Sequence, residues 1–108
     1  MATQTLDIAG QSLAHGGGTF AHDGTVPTTG YAVAVRVLGT PPTLNNVDLY
    51  LHMVEPGRYL GTWWDHENEV WEVDETAVFE AAEDALMLAR LLGERYVYDL
   101  SRGEEIAA

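Results

Sequence analysis

The stretch Arg58-Tyr-Leu-Gly-Thr-Trp-Trp64, then Asp65-His-Glu-Asn68, then Glu69-Val-Trp-Glu-Val73 constrains the fold of this chain more than any other. Two runs rich in aromatic and β-branched residues, separated by a short polar loop, read as a β-hairpin. A lone hairpin is marginal in water, so it needs further strands and a cover. Trp63 and Trp64 are consecutive, and consecutive strand residues point to opposite faces of a sheet. One of them faces the core. The other is either covered by a loop or the N-terminal segment, or joins Trp71 or Tyr59 in an aromatic binding surface, the kind of residue on which interfaces concentrate their energy.

The rest of the chain supplies the partners that the hairpin needs. Tyr31 to Leu38 carries valines at 33, 35 and 37 in period-2 alternation, and Gly39-Thr-Pro-Pro42 ends it. Glu55-Pro-Gly-Arg58 is a turn with Gly at the position that takes a positive φ. Tyr96 to Leu100 reads as a short strand, and Glu104-Glu-Ile106 as a final extended piece. Leu44 to Val54 fits either a strand face or a helical stripe, and is expected to be a helix. Asp74 to Gly93 is expected to be the main helix, with Asp74, Glu75 and Glu80 near its positive N-terminal end and Gly93 as its left-handed stop.

On a helical wheel Val78, Ala81, Ala82, Ala85, Leu86, Leu88, Ala89 and Leu92 share the inward half of that helix, with Phe79 at its edge. Glu80, Glu83, Asp84 and Arg90 lie opposite, together with Met87 and Leu91, which adjoin four residues apart. Residues 1–29, rich in Gly and Thr and without useful periodicity, are expected to be a flexible arm, and 30–108 a single domain. The expected fold is α+β: a small antiparallel β-sheet from 31–38, 58–64, 69–73 and 96–100, with one main α-helix on one face.

Charge narrows the function classes. Seventeen acids against five arginines give a net charge of −12 in 108 residues. Residues 65–108 hold thirteen of the acids and three of the arginines. Direct nucleic-acid binding needs cations to neutralise phosphates, and so is not expected. With no cysteine there is no disulfide framework or thiol nucleophile. The N-terminal residues lack the basic and apolar regions of a signal peptide, and no apolar run reaches bilayer length, so membrane association is not expected. The implied location is the cytoplasm, or a particle made inside a cell.

No catalytic residue, metal site or cofactor is expected. Ser12 and Ser101 lack a nucleophile-elbow context, and Gly16-Gly-Gly18 matches neither phosphate-binding fingerprint. His66 between Asp65 and Glu67 is the best metal-ligand candidate, but no histidine pair has helical i, i+4 spacing.

From Tyr59 onward the order Tyr-Leu-Gly-Thr-Trp-Trp-Asp, a turn, Val70-Trp-Glu-Val73, a helix ending Ala-Arg-x-x-Gly, Val97-Tyr-Asp-Leu and Gly103-Glu-Glu-Ile resembles a family of small uncharacterised domains of actinobacteria and their phages. The resemblance covers about residues 59–106 and departs from the family pattern at Asn68-Glu69, where a Gly-Lys turn is common, and at Trp71, where Tyr is common. It implies the order of elements and a mobile-element origin, and no reaction.

The expected function is therefore that of a non-enzymatic acidic interaction protein that binds a basic protein surface, for example as a phage-borne inhibitor acting as a nucleic-acid mimic. Its partner-binding residues are expected to be Trp63, Trp64, Trp71, Glu80, Glu83, Asp84, Met87 and Leu91. The alternative is a self-associating structural or accessory phage protein. A third reading is a small metal-dependent hydrolase using His52 or His66 with carboxylates.

Overall fold

The computed structural model describes residues 7–108. The order of elements is α1 (Ile8–His15), β1 (Gly17–Phe20), β2 (Tyr31–Gly39), a 3-10 helix (Val47–Met53), β3 (Tyr59–Asp65), β4 (Val70–Phe79), α2 (Ala82–Leu92), β5 (Tyr96–Asp99) and β6 (Glu104–Ala107). The fold is α+β, with one antiparallel six-stranded sheet in the order β1-β3-β4-β2-β5-β6. Among the described residues there are three helices, whereas the sequence pattern leads to one main helix on a four-stranded sheet. No helix among them is long and apolar enough to cross a membrane.

The four central strands follow a recognisable connectivity. β2 runs through the 3-10 helix to β3, β4 runs through α2 to β5, and each crossover passes over one intervening strand. This is the interleaved pair of βαβ units of a ferredoxin-like, split βαβ arrangement. Right-handed crossovers of this kind put both connections on the same face of the sheet. Strand alternation agrees. Trp71 and Val73, which pack with α1 and the 3-10 helix, share a side with Phe79, and with Val33 opposite Ala77, which pack under α2. One face is thus covered by all three helices and the other is left open.

Two apolar clusters fill the covered face. Ile8, Phe20, Leu44, Val47, Val54, Leu60, Trp71 and Val73 form the larger one, and Val33, Ala85, Ala89 and Val97 the smaller. Between them Glu75 is buried with its charge matched. Arg36 donates from Nε and a terminal nitrogen to Oε1, at 3.2 and 3.0 Å, and Arg58 donates to Oε2 at 3.2 Å. Two of the five arginines are thereby engaged inside the fold.

The structure corrects several sequence expectations. Residues 8–20, expected within a flexible arm, form α1 and an edge strand, with Ile8, Ser12 and Phe20 buried. Asp7 caps the helix by accepting from the Gly10 amide, and Gly16 ends it at φ 76°. Gly17 follows because a Cβ there would sit 2.5 Å from the Thr62 carbonyl. Ser12 reaches Thr62 through a buried hydroxyl pair at 2.5 Å. Residues 1–6 of the expected arm lie outside the described residues.

The helix expected from Asp74 begins instead at Ala82, because β4 continues to Phe79. Thr76 and Val78 favour an extended backbone, and Tyr31 to Ala34 of β2 pair with Phe79 to Thr76, so tertiary pairing overrides the pull of the acids toward a helix start. The segment expected to be helical over 44–54 is a 3-10 helix over Val47–Met53. The hairpin, the Pro56-Gly57 turn with Gly57 at φ 82° and the Gly93 stop at φ 75° are as expected.

Candidate functional site

The strand register fixes which side chains stand on the open face. Trp63 pairs with Glu72, Gly61 with Asp74 and Tyr59 with Thr76, while Ala34 pairs with Thr76 and Ala32 with both Val78 and Tyr98. Alternation puts Tyr59, Gly61 and Trp63 of β3, Glu72, Asp74 and Thr76 of β4, Ala32 and Ala34 of β2, and Tyr96 and Tyr98 of β5 on this face. The middle of the central strands carries short side chains, of which Ala32, Asp74 and Thr76 are buried, while Glu72 and the exposed Val37, paired with Asp74, stand toward one end. The flanking strands carry aromatics, of which Trp63, Tyr96 and Tyr98 are exposed. The result is a shallow trough with a small-residue floor and aromatic rims. Gly61 is part of the floor, since a Cβ there would collide with the Thr76 hydroxyl.

Asp74 is the unusual member of this floor. It is only 5% exposed, and its Oδ1 is buried with no hydrogen-bond partner. Its pKa is pushed up to about 8, first by burial and then by the neighbouring Glu72 and by Glu94. Glu94, just before β5, is itself raised by burial and by Glu72. Three carboxyl groups thus influence one another on a face from which the register shift after Ala34 removes Arg36, placing it opposite Glu75 instead. Arg36 and Arg58 are held on the covered side by Glu75.

The expected partner-binding residues divide among three places. Trp63 is 51% exposed on the trough rim. Trp64 is half-buried on the other face, packed on Trp71 at 5.4 Å and edge-on to His66 at 6.3 Å. Trp71 is buried in the larger cluster, so it is a core residue and offers no surface to a partner. Glu80, Glu83, Asp84, Met87 and Leu91 are exposed on or just before α2. Of these, Glu83, Met87 and Leu91 line one shallow depression with Leu86 and Arg90. The trough and this depression lie on opposite sides of the molecule.

A helix start at Asp74 hides the grouping of Glu72, Asp74 and Glu94, so the sequence expectation does not include them. The pattern that could reveal them is the alternation Glu72-Val-Asp74-Glu-Thr76, with β-branched residues persisting beyond Val73. His52 and His66 are exposed, His52 in the 3-10 helix and His66 in the β3–β4 loop, where it lies against Trp64 on the covered side. Among the described residues no three His, Asp or Glu side chains converge at metal-binding distance. Asp65 is held below the usual carboxylate range by hydrogen bonds from the Asn68 side chain and backbone, and serves to shape the β3–β4 loop.

Comparison of the chain with protein-family models, with curated proteins and with solved structures finds no match.

Proposed function

We propose that this protein is a non-enzymatic interaction protein whose open sheet face engages a basic protein surface. The observation that carries the reading is the trough, where an exposed Trp63 and exposed tyrosines border the carboxyl groups of Glu72, Asp74 and Glu94 with no arginine assigned to the same face. Guanidinium and ammonium groups suit such a surface twice over, by attraction to Glu72 and Glu94, with a bound cation also favouring the ionised form of Asp74, and by stacking on aromatic rings. Glu80, Glu83 and Asp84 add to the negative field from the helical side. A rigid array of carboxylates offers a nucleic-acid-binding partner the field it meets in phosphates, which gives steep salt dependence. In this reading the protein acts as an inhibitor of such a partner and is of phage origin.

Affinity capture from a host lysate tests the proposal, with wild-type protein and a Trp63→Ala/Glu72→Gln variant run in parallel. The expected result is a nucleic-acid-binding protein held by the wild type at low salt, lost at high salt or on adding DNA, and not held by the variant. Recovery of the bait alone, or identical recovery by both proteins, overturns it.

A further inference from the structure

The outward face of α2 combines an apolar stripe with charges of opposite sign at its two ends. Inward, Ala85 and Ala89 are fully buried in the smaller cluster. Outward, Met87 is 62% and Leu91 79% exposed, and they stand one turn apart. Glu83 lies one turn before Met87, and Arg90 flanks Leu91, so an acid marks the N-terminal end of the stripe and a base the C-terminal end. Among the described residues neither Glu83 nor Arg90 takes part in an ion pair. They cannot pair with each other, because seven residues of helix separate them by roughly 10 Å along the axis.

Such a surface is complementary to itself. When two copies of α2 are laid antiparallel about a two-fold axis near Leu86 and Met87, Glu83 of each copy comes opposite Arg90 of the other. The two helix dipoles then oppose each other, and Met87 and Leu91 lose their exposure in the seam. We infer that the protein forms a two-fold dimer through α2, with Met87 at its centre and two reciprocal Glu83–Arg90 pairs at its ends. This surface lies on the helical side of the molecule, so the dimer leaves the open trough free and does not depend on it; of the acids on that side it neutralises Glu83 and leaves Glu80 and Asp84 outside the reciprocal pairs.

One short helix buries little area. The seam therefore falls near the lower limit of stable interfaces, with a dissociation constant on the order of 10 μM to 1 mM. The charge of −12 on each copy opposes association, so the measurement requires salt of about 0.15 M, where the Debye length is about 8 Å.

Sedimentation velocity on the full chain up to about 1 mM, with circular dichroism as a folding control, decides the matter. The wild type is expected to show concentration-dependent dimer, and Met87→Asp to remain monomeric with an unchanged spectrum. Glu83→Arg and Arg90→Glu should each weaken the dimer about 5-fold or more, and the double exchange Glu83→Arg/Arg90→Glu should recover it. General repulsion makes a different forecast, since Glu83→Arg reduces the magnitude of the net negative charge and would then strengthen association. A wild type that stays monomeric to 1 mM overturns the proposal. So does a dimer strengthened by Glu83→Arg, or one indifferent to Met87→Asp.

Discussion

Asp74 and Glu75 are neighbours on β4, both acidic and both shielded from water, yet they stand on opposite faces and meet opposite circumstances. Glu75, 2% exposed on the covered face, receives three hydrogen bonds from two arginines and a fourth from the Glu55 amide. Asp74, on the open face, keeps an unpartnered Oδ1 beside two further acids. Burial alone does not decide what a charged residue does to a fold. The covered face surrounds its charge with counter-charges that tie β2, β3 and β4 together. The open face holds a carboxyl group that stays protonated near neutrality and gains little from the rest of the molecule.

The contrast can be broken most forcefully from the covered side. Replacing both arginines, as Arg36→Ala/Arg58→Ala, leaves Glu75 buried without compensation, and is expected to destabilise the fold by about 3–5 kcal/mol in urea unfolding. A loss below about 1 kcal/mol would mean that the pair network contributes nothing. Trp71→Ala on the same face should cost a similar amount, about 3–5 kcal/mol, by opening a cavity against Trp64 and Val73.

The third substitution should move stability the other way. Folded Asp74 holds a proton that the unfolded chain releases above the ordinary aspartate value of 3.8. The stability contributed by this group is therefore greatest at acid pH and falls as pH rises toward about 8. Asp74→Asn removes that dependence. Compared at pH 9, the variant is expected to be more stable than wild type by about 1–3 kcal/mol, with the difference shrinking toward pH 5. Equal urea midpoints at the two pH values for both proteins would show that Asp74 is not held protonated. Trp63→Ala should have the smallest effect, within about 0.5 kcal/mol, since its ring is already half in water. A large loss there would mean that the open face belongs to the core.

The same contrast explains what can be read from sequence. β2, the β3–β4 hairpin and the Gly93 stop announce themselves through period-2 alternation, turn residues and a glycine, all of them local signals. The start of α2 is not legible in the same way, because acids favour a helix N-terminus and also tolerate a strand, and only pairing with β2 decides between them. α1 escapes the pattern because eight residues with two buried side chains show little periodicity, although Asp7 before it and Gly16 after it are cap signals. The exposed residues of α2 are legible from the wheel. The carboxyl group of the trough is not, because its neighbours sit on β4 and before β5, and only the fold brings them near one another.

The sheet ends on both sides in strands of four residues, β1 and β6. An unpaired edge is where one sheet can recruit another and grow into a fibre. β6 carries Glu104 and Glu105 side by side and exposed, so a second copy aligning there would bring like charges into register. The acidity of this chain thus serves as a brake on polymerisation. That brake is released when the charges are removed, as in Glu104→Gln/Glu105→Gln, which makes a neutral β6 the form in which this sheet edge becomes adhesive.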